Sequence, residues 1–217
     1  MTWIVIPCVK PASGQRFTYH VLLNSTTFTM HRLLLFGFSL ILTNAVATAD
    51  ENSRSTKSLP ATGSVQVAFP PEEDANSLIV NALREARKMV RVQAYSFTSN
   101  EIAFALIAAK QRGVDVVVIA DAEQMRKLDN HKLGLMHRNG VRVWLDQQHQ
   151  SAHNKIMIID GEDSLPVVIT GSMNFTYSGQ FKNAENLLLL RGNKALADAY
   201  SANWQRHFNH ATPYVSY

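Results

Sequence analysis

From Ser64 to Phe208 the spacing of apolar residues switches repeatedly between two and three-to-four, and a chain patterned in this way has few folds open to it. Val65, Val67 and Phe69 alternate with smaller or polar residues, as on a strand that stops at Pro70-Pro71. Leu78, Ile79, Ala82, Leu83 and Ala86 then recur at helical spacing between Ala75 and Lys88. Val90 to Tyr95 reads as a strand, and Val114 to Ala120 is a β-branched run fit for a buried one. Between them, Thr98-Ser99-Asn100-Glu101 has capping-box spacing ahead of a helix that carries Ile102, Leu106 and Ile107 and can end at Gly113. A helix is expected from Glu123 to Arg138 despite Gly134, and Asn139-Gly140 turns the chain into a strand from Val141 to Leu145. Apolar strands at Lys155–Ile159, Val167–Thr170 and Glu185–Leu190, then a helix from Lys194 to Phe208, complete the series. No sequence repeat is found inside the chain. Strands and helices alternate, so the expected class is α/β.

The first fifty residues are written differently, with no Asp or Glu before Asp50. From Met30 the order is basic (His31, Arg32), apolar (Leu33 to Leu42), then small residues ending Ala47-Thr48-Ala49. This is the three-part plan of a secretory signal peptide over residues 30–49. Its apolar core is roughly half the length a bilayer span needs, so cleavage after Ala49 and a periplasmic or secreted product are expected, without stable membrane insertion. Residues 1–29 then read as an upstream extension, consistent with a start at Met30. Residues 50–63 are polar and read as a flexible leading segment, which leaves 64–217 as one catalytic domain.

Cys8 is the only cysteine and falls in the extension, so the expected mature chain can hold neither a disulfide nor a thiolate metal site. From Asp50 onward there are 18 Lys plus Arg and 17 Asp plus Glu, 18 − 17 = +1, and net charge says little about nucleic acid. Any electropositive groove must come from local runs such as Arg84, Arg87, Lys88 and Arg91, or Arg126, Lys127 and Lys132, which read first as solvated helix faces.

The chemistry is concentrated in His153-Asn154-Lys155-Ile156-Met157-Ile158-Ile159-Asp160, followed by Gly171-Ser172-Met173-Asn174. In extended chain, side chains two apart share a face, so His153 and Lys155 project together while Asp160 tends to the opposite side. Ser172 and Asn174 are also two apart and offer a hydroxyl and an amide suited to phosphate oxygens. Glu185 stands at the mouth of the strand Leu187–Leu190, where it could accept an imidazole N–H. Imidazole as nucleophile, with ammonium, hydroxyl and amide on the non-bridging oxygens, meets most of what phosphodiester cleavage requires. His131, His137 and His149 are spread out and read as incidental; no metal site and no cofactor is expected. Gly161 to Pro166 reads as a polar turn.

This pattern resembles the phospholipase D superfamily, whose signature is His-x-Lys, four residues, Asp, then a Gly-Ser/Gly-x-Asn segment. With one signature copy, a leader and the segment Ala94-Tyr95-Ser96-Phe97-Thr98, the chain is most similar to that family's small secreted bacterial endonucleases. The resemblance covers about Ser64 to Phe208 and implies a mixed sheet flanked by helices. It implies that His153 forms a phosphohistidine, that Lys155, Ser172 and Asn174 hold the phosphoryl oxygens, that Glu185 braces a histidine, and that Asp160 has a supporting role. Two signature histidines share the reaction in this family, so a single copy implies a symmetric homodimer with the site at its interface, a geometry that a two-fold axis through the cleft would supply. The expected activity is metal-independent endonucleolytic cleavage of DNA or RNA. A phospholipase D acting on phosphatidyl lipids is the second reading, weakened because no exposed aromatic or amphipathic membrane segment stands out; a non-catalytic nucleic-acid-binding module is the third.

Overall fold

The computed structural model describes residues 56–215; the expected leader, the upstream extension and the start of the polar segment lie outside the described residues. In chain order the elements are β1 (Ser64–Ala68), α1 (Ala75–Glu85), β2 (Met89–Ala94), α2 (Asn100–Gln111), β3 (Asp115–Asp121), α3 (Ala122–Lys127), α4 (Leu133–Arg138), β4 (Arg142–Asp146), β5 (Lys155–Ile159), β6 (Val167–Gly171), α5 (Tyr177–Phe181), β7 (Leu187–Arg191), α6 (Lys194–His210) and β8 (Thr212–Pro213). The eight strands form one sheet in the order β1-β7-β6-β5-β2-β3-β4-β8. β2, β3 and β4 run parallel, and the remaining neighbours pair antiparallel, so the sheet is mixed as expected.

Both sheet faces are covered at the centre, which is why β3 and β5 read as unbroken apolar runs. Val116, Val118, Met157 and Ile159 enter the larger core with Ile79 and Leu83 of α1 and Ile102 and Leu106 of α2. On the opposite face Val117, Ile119, Ile156 and Ile158 pack with Trp204 of α6. The Trp204 indole donates to the Val92 carbonyl at 3.1 Å, so its one polar atom is satisfied while the ring is buried. Burial of a side chain that size contributes roughly 3 kcal/mol and fixes α6 against the sheet.

Several local expectations change. The helix expected from Glu123 to Arg138 is two short ones: Asp129, Asn130 and His131 between them are weak helix formers, and the Lys132 N–H bonds the Phe97 carbonyl instead of continuing a helix. The N-cap of α2 is Ser99, which accepts from the Ile102 N–H at 3.3 Å, so Thr98 and Glu101 do not form a capping box. Glu101 accepts from Asn76 Nδ2 at 2.7 Å, a bond to α1 that outcompetes the local one. β1 forms as expected, but its burial does not alternate: only Ala68 is buried while Val65, Val67 and Phe69 are exposed, because β1 lies at the sheet margin and α6 packs on β2, β4, β5 and β6. The two-residue β8, too short to carry a pattern, extends the sheet beyond β4.

Candidate active site

The antiparallel placement of β5 beside β2 and of β6 beside β7 brings four chain segments to one sheet edge: the start of β5, the ends of β2 and β6, and the start of β7. His153 lies two residues before Lys155, the first residue of β5. Its position is clamped on both sides. The buried Asp121 carboxylate accepts from the Ala152 N–H at 2.7 Å, and the Asn154 carbonyl accepts from the Tyr95 N–H at 2.9 Å. The ring itself is exposed.

The Lys155 ammonium donates to His153 Nδ1 at 2.8 Å and to the His153 carbonyl at 2.7 Å, and Tyr95 packs against both residues. The Tyr95 and His153 ring centroids are 4.4 Å apart, and Lys155 Nζ is 5.1 Å from the Tyr95 centroid. Burial pushes the Lys155 ammonium down to about 8, opposed by the negative charge of Glu185, which faces it. Tyr95 was not singled out from the sequence as a site residue, although it lies in the Ala94–Thr98 segment that shares in the family resemblance; the register Ala94↔Lys155 brings that strand end to the site.

Ser172 Oγ donates to Glu185 Oε2 at 2.5 Å and accepts from the Asn186 N–H at 3.0 Å. Asn183 Nδ2 adds a second bond to Glu185 at 3.0 Å. Glu185 therefore braces Ser172 and makes no bond to His153 of its own chain, contrary to the simplest form of the expectation. Asn174 Oδ1 is buried and unpartnered among the described residues, a cost accepted at sites that await a ligand. The segment bearing Asn174 is held rigidly: Phe175 bridges to Phe97, its carbonyl accepts from the Thr98 and Ser99 N–H groups, and the two phenyl rings meet edge-on at 5.7 Å.

Asp160 is not part of this constellation. It follows β5 at the other end, roughly 16 Å of extended chain from Lys155. Its carboxylate accepts from the N–H groups of Arg87, Lys88 and Met89 at 2.9, 2.8 and 3.0 Å, tying the α1–β2 turn to the β5–β6 turn. The supporting role expected for it is thus one of chain connection. Three members of the basic runs are ion-paired: Lys88 with Asp163 of the polar turn, Arg91 with Asp115 and Lys127 with Glu123. A groove of about 720 Å³ lies away from His153 and is lined by residues that include Arg84, Phe104 and Phe181.

No ligand cluster was expected from the sequence, yet the fold gathers a group of potential ligands from two distant segments. Asp146, His149, His207 and His210 place one potential ligand atom each within 4.8 Å of one another. His149 stands in this group, whereas His131 and His137 pack edge-on against Tyr214. Asp146 and His149 are 61 residues or more and nearly 60 residues, respectively, from the α6 histidines, beyond the reach of a local motif.

Residues 79–210 match the family described as cardiolipin synthase, PLD-like domain. The chain belongs to the phospholipase D superfamily. A solved phospholipase D family member, Nuc from Salmonella typhimurium, is 33% identical with a TM-score of 0.66, covering 71% of this chain and 100% of that one. Among curated relatives, a phospholipase D of Rickettsia prowazekii is 36% identical over 140 residues, 64% of this chain and 65% of its own length. A mitochondrial cardiolipin hydrolase of Mus musculus is 32% identical over 131 residues, 60% of this chain and 57% of its own length. The chain thus spans under two thirds of these curated relatives. The His153–Lys155 pair lies with Ser172, Asn174 and Glu185 at one end of the sheet, and these are the residues that carry the superfamily's signature in this chain.

Proposed function

We propose that this phospholipase D-type enzyme is an endonuclease cleaving DNA or RNA through a phosphohistidine on His153, in a homodimer whose two signature histidines meet at one phosphate. The observation that carries this reading is the exposed His153 ring bonded to a buried ammonium at an open sheet edge; with one signature histidine per chain, the acid for the leaving oxygen would come from a second subunit. In the mechanism, His153 Nε2 attacks phosphorus while the bond to the leaving oxygen breaks, and that oxygen takes a proton from the partner's His153. Water then attacks the phosphohistidine, giving its proton to the partner's imidazole and restoring both rings. Lys155 and Asn174 hold the non-bridging oxygens, and Ser172 joins them when it releases Glu185. Glu185, which does not reach the histidine of its own chain, is available to brace the partner's His153. This chemistry draws on no metal or cofactor at phosphorus. The leader expected at residues 30–49 would place the enzyme in the periplasm or outside the cell.

Phosphatidyl lipid is the second reading. It is favoured by the names of the curated relatives and by exposed Tyr177 and Phe181, whose rings pack 4.8 Å apart on α5. These aromatics were not anticipated from the sequence. No helix among the described residues is long and apolar enough to cross a membrane.

The test is cleavage of plasmid DNA, RNA and phosphatidylcholine vesicles by the purified protein, assayed immediately after EDTA addition, beside His153→Ala. Nucleic-acid cleavage that persists in EDTA and is lost in His153→Ala is expected. Lipid hydrolysis alone would replace the nuclease reading, and cleavage lost at once on chelation would overturn the mechanism.

A further inference from the structure

Away from the catalytic edge, the end of β4 and the last turn of α6 meet in a cluster with its own chemistry. Asp146 closes β4 with a fully buried side chain, and His149 follows three residues later. His207 and His210 are also three apart, on one face of the final turn of the 17-residue helix α6. Asp146 Oδ1 is held by the backbone N–H groups of Gln148 at 3.0 Å and His149 at 3.3 Å, which aims Oδ2 at the three rings. Onto that oxygen converge His149 Nδ1 at 3.0 Å, His207 Nδ1 at 2.7 Å and His210 Nε2 at 3.1 Å, with His149 Nδ1 also 3.2 Å from Oδ1.

Hydrogen bonding alone accounts poorly for this arrangement. Two backbone N–H groups and three ring nitrogens exceed the four lone pairs that one carboxylate presents. Were the rings all protonated, three cations with centroids 4.7 to 5.5 Å apart would face one carboxylate. A dication among neutral imidazoles removes both conflicts. With bonds of roughly 2.1 Å, a tetrahedral N₃O site has ligand atoms about 3.4 Å apart, and here all four lie within 4.8 Å before any closure. Three imidazoles disfavour magnesium and calcium, and the carboxyl end of α6 adds negative potential. A concavity of about 320 Å³, lined in part by Asp146, Gln148 and His149, opens the cluster to solvent.

We propose that Asp146, His149, His207 and His210 bind one zinc-type divalent ion as a structural site, joining α6 to the loop that leads from β4 to His153. Four protein ligands leave no open position, so the ion acts on the fold and takes no part at phosphorus. Only three residues separate His149 from His153, and the site anchors the loop at the end opposite the Asp121–Ala152 bond.

The test is metal content of the purified protein after loading with zinc chloride and dialysis, thermal melts with zinc or EDTA, and the visible spectrum with cobalt(II). One ion per chain, the intense visible bands of four-coordinate cobalt, and a melting temperature about 5–10 °C higher at a hundredfold excess of zinc over Kd are expected. His210→Ala should abolish the shift. His149→Ala, at a half-exposed ring, keeps the fold by circular dichroism and should lose the shift as well. Substoichiometric metal after loading, six-coordinate cobalt bands, or a zinc shift that survives in His149→Ala would overturn the site. None of these readouts depends on the substrate, so they stand apart from the nuclease assay.

Discussion

Lys155 Nζ sits 2.8 Å from Nδ1 of His153, so in the isolated subunit the cation that should clamp phosphate is bonded to the ring that should attack it. An ammonium has only donors; Nδ1 is therefore the acceptor and the proton of the neutral ring is on Nε2. A nucleophilic Nε2 needs that proton on Nδ1 with a carboxylate to receive it. In the proposed mechanism, substrate binding draws Lys155 onto the phosphoryl oxygens, and the partner's Glu185 takes its place at the ring.

The alkaline limb of activity follows from the Lys155 shift. With its ammonium pushed down to about 8 by burial, kcat/KM should fall as pH rises through about 8, since the free enzyme then loses its clamp. Lys155→Arg should remove that limb, because guanidinium stays charged, at a lower maximal rate from its different geometry. Stability should run the other way. The folded state releases this proton before the unfolded chain does, so the contribution of Lys155 to stability is complete above 10.5 and is lost as pH falls through about 8. Initial rates and urea melts across pH 6–10 read both.

Shared use of the two histidines can be counted. When wild type and His153→Ala are mixed equally and allowed to exchange, activity should fall to about a quarter of the wild-type value, since only wild-type pairs carry both rings. Independent sites would retain about half. A linear response to the wild-type fraction would remove the composite site.

Asp160→Ala should act on stability. Loss of three backbone acceptor bonds, at partly solvated N–H groups, should cost about 1–2 kcal/mol by urea unfolding. The rate per folded molecule should stay within about threefold of wild type, because the change lies at the far end of β5. Asp160→Asn, which still tolerates the positive φ of 50°, should cost less.

Gly179→Ala tests how rigidly Asn174 must be held. A Cβ on Gly179 would lie 2.3 Å from the Asn174 carbonyl oxygen and 3.2 Å from Met173 Cγ, so α5 and the Asn174 segment must separate. A drop in kcat/KM of about tenfold or more is expected, with a stability loss of about 1–3 kcal/mol. Ser178→Ala, at an exposed neighbour, should be nearly silent. Equal activity in both variants would show that the position of Asn174 is not limiting.

The order of strands and helices, the polar turn after Asp160 and the meeting of His153 with Lys155 were legible along the chain, because each rests on backbone periodicity over a few residues. Local spacing failed where a distant group offered a better partner: Glu101 left its helix start for Asn76, and Lys132 bonded Phe97 in place of a helical turn. Only tertiary structure decided which ends of the strands lie together. Threading β5 antiparallel between β2 and β6 brought Tyr95 against His153 and carried Asp160 to the opposite edge, since five extended residues cannot fold back. The same packing of α6 across the sheet gathered His207 and His210 onto Asp146 and His149. Nothing in either short segment specifies that meeting; it is set by which apolar faces the helix and sheet bury against each other.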